Sequence, residues 1–181
     1  MDVGKALAEE HSRELSELIA DWIGVSTARF EILRDILMGE NPVLARRASR
    51  ALASSAEKYP QVIEPHLGAL LENLASTDLP DAIKRHTLRA AADCKIPDSI
   101  FGLAADTALA YLTSPNESVA TRAQAMRVLE QLCLRQEALI PEVRMAIEEQ
   151  LNFCKRPGFT SKARQVLSSL NRREQSKATT Q

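Results

Sequence analysis

The stretch NPVLARRASRAL, residues 41–52, decides how the rest of the chain is read. Asn41 is a helix-capping residue, and Pro42 fits the first helical position, where its missing amide hydrogen costs nothing. Apolar residues then recur at helical spacing, through Ala48 and Leu52. Arg46 and Arg50 are one turn apart on roughly the opposite side, so they are expected to face away from the core. Immediately upstream, a Ser26-Thr27 cap and the series Phe30, Leu33 and Leu37 mark another helix, closed by Gly39. The two together make a helical hairpin.

Downstream the plan returns. Residues 61–75 carry Ile63, Leu67, Leu70, Leu71 and Leu74; STDLPD is a turn; and AIKRHTLRAAADC is a second helix. After IPDS come the helix IFGLAADTALAYL, the turn TSPNES and the helix VATRAQAMRVLEQLCL. PEVRMAIEEQLNF and TSKARQVLSSL, separated by KRPG, form a last pair. Aligning the second helices puts Ala48, Thr87, Ala125 and Ala163 in one register, and Leu52, Ala91, Leu129 and Leu167 in another, at separations of 39, 38 and 38 residues. Each hairpin has an apolar face that only a neighbour can cover, so hairpins of near-constant length predict a stacked array. Small residues in the first register permit close helix approach, and larger ones in the second fill the space behind.

Composition agrees. The chain of 181 residues is 45% hydrophobic, mainly Ala and Leu, with seven aromatic residues and six glycines, which favours helices over sheets. At this length folding buries roughly 70% of the unfolded chain's surface, enough for a core without staples. Cys94, Cys133 and Cys154 are odd in number and form no C-x-x-C pair, so reduced, partly buried thiols are expected. The N-terminal segment carries six acids with Leu15, Leu18, Ile19, Trp22 and Ile23 at helical spacing, and reads as an amphipathic helix stopped by Gly24. It has neither the basic start nor the unbroken apolar run of a signal peptide. No segment approaches the roughly 20 apolar residues of a membrane span, so the expected location is the cytoplasm. NRREQSKATTQ at the end has no apolar anchors and is expected to be disordered from residue 174 onward.

With these hairpins the chain is similar to the HEAT-type, armadillo-like helical repeat family. There an Asp or Asn in the hairpin turn is followed six positions later by a basic residue, and the two interact along the stack. Asn41 and Arg47, Asp78 and Lys84, and Asn116 and Arg122 have that spacing; Pro65 and Pro141 fall where the family often has a proline. KRPGFTSK in the fourth hairpin has no such turn residue. Tetratricopeptide and ankyrin repeats fit worse, since the period is too long and their signatures are missing. The resemblance implies an all-α fold: a right-handed alpha-alpha superhelix of about four HEAT-like hairpins with an N-terminal capping helix. The expected organisation is one solenoid domain over 1–173, with the cap at 1–25 and hairpins at 26–60, 61–97, 98–137 and 138–173.

Arg89 and Arg127 take the repeat position of Arg50, so three arginines recur once per hairpin, with Gln165 breaking the column in the last. Net charge is -1, yet all four second helices are net positive and all four first helices net negative. The resemblance implies that second helices line the concave side, making a basic groove. Arg46, Arg50, Arg85, Arg89 and Arg127 are therefore the candidate partner-binding residues, suited to carboxylate or phosphate. A second reading stays open, in which these arginines are solvated or ion-paired within and between repeats. For Arg47, Lys84 and Arg122 a structural ladder is the favoured role.

Catalytic signals are absent from the sequence pattern. His11, His66 and His86 lie in separate segments, no nucleophile elbow or phosphate-binding glycine loop occurs, and Glu148 and Glu149 are adjacent and point apart. Trp22, Phe101, Tyr111, Phe153 and Phe159 read as core or hairpin-end packing. With so few aromatics to stack on bases, nucleic acid is a poor match. The expectation is a non-enzymatic protein-interaction or scaffold module, without cofactor or metal, that binds a protein or acidic peptide. The alternatives are a nucleic-acid binder resembling the HEAT-like DNA-alkylation-repair glycosylases, and a regulatory subunit docking through an acidic convex face.

Overall fold

The computed structural model describes residues 1–75 and 79–178, the last three of these by backbone alone. All secondary structure among the described residues is helical. The chain clusters into two compact units, Met1–Leu103 and Ala104–Gln181.

In the first unit, α1 (Val3–Glu9) and α2 (Arg13–Ile23) occupy the stretch expected to be one helix. The polar run Glu9-Glu10-His11-Ser12 interrupts the apolar stripe, and Ser12 restarts the helix by accepting the Leu15 amide at 2.9 Å. Gly24, at φ +52°, ends α2 in the left-handed region that a side chain would strain. Next come α3 (Thr27–Leu37) and α4 (Pro42–Lys58). Asn41 Oδ1 accepts the amides of Val43 and Leu44 at 3.1 and 3.2 Å, so the cap read from the sequence is formed. α5 (Pro60–Ile63) and α6 (Leu67–Asn73) are separated by a 3-10 turn that contains Pro65, where no amide hydrogen is available for a continuous helix. α7 (Asp81–Asp93) follows, and then a 3-10 turn, Asp98–Ile100.

α4 packs on α2 and α7, and α3 packs on α4. Ala45, Ala48, Ala51, Leu52 and Ala56 on α4 are buried, as are Thr87 and Ala91 on α7, so small side chains let these second helices approach closely. Thus α2, expected as part of a cap, stands against α4 much as α7 does on α4's other side. Leu18 departs from its expected place on the apolar stripe: it is 54% exposed.

The second unit holds most of α8 (Phe101–Thr113), with α9 (Val119–Arg135), α10 (Ile140–Phe153) and α11 (Pro157–Ala178). Pro141 sits in the first turn of α10, where it does no harm. α9 packs on α11, burying Ala125, Leu129 and Ala163; Leu167 is only half-buried, and its neighbours Val166 and Leu170 fill the core instead. Phe159 is fully buried as expected, whereas Phe153, at the end of α10, is 78% exposed and packs in no core.

The tail expected to be disordered from residue 174 is helical through Ala178. Its anchors are polar. Arg173 donates to Leu134 O at 2.7 Å and meets Glu137 at 3.3 Å, and Glu174 pairs with Arg144. A search for apolar contacts overlooks such ties.

The ladder is the main correction to the expected packing. Asn41 is spent on its own helix, and Arg47 Nη1 instead donates to Leu7 O and Ala8 O, at 2.6 and 2.9 Å, closing the C-terminal end of α1. Arg122 likewise bonds no turn residue; its Nε donates to Leu112 O, in the last turn of α8, at 2.9 Å. Asp78 lies outside the described residues, and so does its pairing with Lys84.

Candidate functional site

A cleft of about 510 Å³ opens across α2, α4 and α7 in the first unit. From α4 come Arg46, Arg50 and Glu57; from α7, Arg85, His86 and Arg89. His11, Arg13 and Glu17 close the side nearest α2. The i, i+4 spacing puts Arg46 above Arg50, and Arg85 above Arg89, so two guanidinium pairs face one space because α4 and α7 lie side by side.

Four of the five arginines singled out in the sequence therefore share one cleft. Arg127 belongs to the second unit, where its Nη1 donates to Gln124 Oε1 at 2.9 Å. The cleft arginines are not equivalent. Arg89 meets Glu57 at 2.6 Å and Asp93 at 3.8 Å, and Arg85 meets Asp81 at 3.4 Å. These pairs are partly exposed and worth little each. Arg46 and Arg50 have no carboxylate partner among the described residues, and the two acids that line the cleft, Glu17 and Glu57, pair with Arg13 and Arg89.

Two of the lining residues that sequence reasoning passed over as arginine partners are imidazoles. His86 Nδ1 lies 3.0 Å from Ser49 Oγ. Burial first, then the charges of Arg85, Arg50 and Arg89, push its pKa down from 6.5 to about 4, against a smaller opposing effect of Asp81. His11, though exposed, is also held below its ordinary value, by loss of solvation and then by Arg47, Arg46 and Arg50. In both rings burial is the larger cause, and the arginine charges act in the same direction. Repeat register could have found His86, since it neighbours Arg85 in sequence; His11 and Arg13 were hidden by reading the N-terminal segment up to Gly24 as one helix.

The depressed His86 has a stability consequence. Between pH 6.5 and about 4 the unfolded chain binds a proton that the folded chain refuses, so stability falls as pH falls through that window and is level above it. Allowing for the ring's partial exposure, this is worth about 1–2 kcal/mol at pH 5. Urea unfolding at pH 7 and pH 5 is expected to show that loss in the wild type and a smaller one in His86→Gln; equal losses in both would assign the acid sensitivity elsewhere.

Helical hairpins whose second helices stack, with side-chain patterning that recurs hairpin by hairpin, define an all-α repeat protein. The family model for the HEAT repeat domain matches residues 3–170, and its span takes in α1 and α2 as well as the four hairpins. The chain belongs to the HEAT repeat domain family. No curated protein and no solved structure matches it. HEAT repeats generally mediate protein interactions. Among the described residues no helix is long and apolar enough to cross a membrane.

Proposed function

We propose that the chain is a non-enzymatic interaction module that takes an acidic segment of a partner protein into the cleft between α2, α4 and α7. The observation that carries this reading is the pair Arg46 and Arg50, one turn apart, facing the cleft with no acid of their own. Two guanidinium groups left unneutralised beside Arg85 and Arg89 offer charge-assisted hydrogen bonds to carboxylates arriving from outside. Nucleic acid is less well supported. Glu17 and Glu57 flank the arginines and repel a continuous phosphate backbone, and the chain's net charge is -1.

Ser49 and His86 have the spacing of a nucleophile and its base, but the pair does not favour catalysis. Ser49 is fully buried, and its hydroxyl sits 2.7 Å from Arg46 O, the carbonyl one turn back on its own helix. A buried hydroxyl occupied in this way is a packing feature that positions His86.

The test is binding of a fluorescein-labelled glutamate-rich peptide followed by polarisation. Arg46→Glu combined with Arg50→Glu is expected to weaken binding by about 10- to 100-fold, as two lost charge-assisted contacts imply. Unchanged affinity would remove the cleft as the binding surface.

A further inference from the structure

The geometry points to a phosphorylated side chain, presented by a partner protein's acidic segment, as the group that Arg46 and Arg50 clamp in this cleft. The inference rests on the reading of the cleft given above and names the chemistry of its occupant. It follows from how the charge is distributed. An isolated carboxylate carries one negative charge and neutralises one guanidinium; a phosphoryl group carries close to two and has three acceptor oxygens on one centre. The cleft leaves two guanidinium groups unneutralised, a single helical turn apart on α4, with Arg85 on α7 closing the same space. A compact double charge matches that arrangement more closely than carboxylates spread along an extended chain.

His86 forms part of the wall of the same space. Its Nδ1 lies 3.0 Å from Ser49 Oγ, and the ring lines the cleft with Arg85 and Arg89. The one Ser49 hydroxyl hydrogen is given to Arg46 O at 2.7 Å, so His86 Nδ1 donates to Ser49 Oγ, which fixes the ring at the cleft wall. Electrostatic confinement favours a single group over a polymer. Arg89 is held by Glu57 at 2.6 Å and Arg13 by Glu17 at 2.7 Å, so acids border the unneutralised pair on two sides. One phosphoryl group fits between these borders, whereas a nucleic acid must run past them.

The experiment compares three short glutamate-flanked peptides, identical except for phosphoserine, glutamate or serine at the centre, binding to the full chain near pH 7.5. Isothermal titration gives the affinities, and the Arg side-chain Nε–Hε signals and the His86 ring signals locate the site by NMR. The phosphoserine peptide is expected to bind about tenfold or more tightly than the glutamate peptide. It should shift the Arg46, Arg50 and His86 signals, and Arg46→Gln with Arg50→Gln should abolish the difference between the two peptides. These arginines are at the surface, so unchanged circular dichroism of the variant keeps the comparison free of misfolding. If the glutamate and phosphoserine peptides bind equally well at these residues, the phosphoryl assignment is overturned and the acidic-segment reading stands. If neither binds, both fall. Duplex DNA binding at the same residues more tightly than the phosphopeptide, with a steep salt dependence, overturns the inference in favour of nucleic acid.

Discussion

Arg122→Ala is expected to destabilise the second unit by about 3 kcal/mol, as the loss of two charge-assisted hydrogen bonds and of buried packing implies. Arg122 is only 5% exposed, an unusual position for a guanidinium that has no carboxylate partner among the described residues. Its charge is balanced by dipoles and an aromatic face. Nε donates to Leu112 O at the carbonyl end of α8, where the helix dipole is negative. Nη2 donates to Gln150 Oε1 at 2.7 Å, and the guanidinium carbon lies 4.4 Å from the centre of the buried Phe159 ring. One side chain thereby ties α8, α9, α10 and α11 together. Arg122→Met keeps the stem on Phe159 but strands both acceptors, so it should recover only part of the loss. Arg122→Lys keeps the charge, but a point donor cannot reproduce the planar fork, and it should also fall short. Hydrogen exchange resolved by residue is the suitable measurement, because a chain with two compact units need not unfold in one step. Faster exchange across α8–α11 in the Ala variant is the expected pattern, and exchange unchanged there would refute this account.

Phe30→Ala is expected to cost the first unit more, about 3–5 kcal/mol, because the site is closed on all sides and cannot collapse around the missing ring. Phe30 is fully buried on α3, and its ring centre lies 5.0 Å from that of His66, at an interplanar angle of 48°. The contact has a polar side. Arg34 Nη1 lies 3.2 Å from His66 Nδ1, and since arginine can only donate, that nitrogen accepts and the ring is neutral. Burial and the Arg34 charge both hold the His66 pKa below its ordinary value, consistent with that state. Loss of Phe30 opens this ring to solvent. Its titration by NMR should then move up toward the ordinary histidine range, alongside the fall in urea midpoint. An unmoved His66 titration would mean that the ring's surroundings do not depend on Phe30.

The hairpins were legible because their punctuation is local. Asn41 and Pro42 specify a helix start whatever packs on it, and Ala48, Thr87, Ala125 and Ala163 occupy a buried register that only repetition explains. The break between α1 and α2 was not legible from the apolar period. Leu7 and Leu15 are eight residues apart, a spacing that still falls within one wide apolar stripe, so the stripe reads as continuing across the interruption. The clustering of Arg46, Arg50, Arg85 and Arg89 was readable from register, since stacked hairpins bring equivalent positions together. Which of them carry acids was not. That depends on Glu57 reaching across from α4 to α7, a long-range contact that no spacing rule encodes. The partners of Arg47, and the Leu112 partner of Arg122, were unreadable for a different reason: they are main-chain carbonyls.

Those carbonyls bear on how such chains diverge. An arginine that clasps a neighbour's peptide oxygen places no demand on the identity of Leu7, Ala8 or Leu112, only on the backbone turn being wound. The acceptor positions are free to drift while the donor is constrained. Covariation between side chains would therefore miss the tie that holds adjoining layers together.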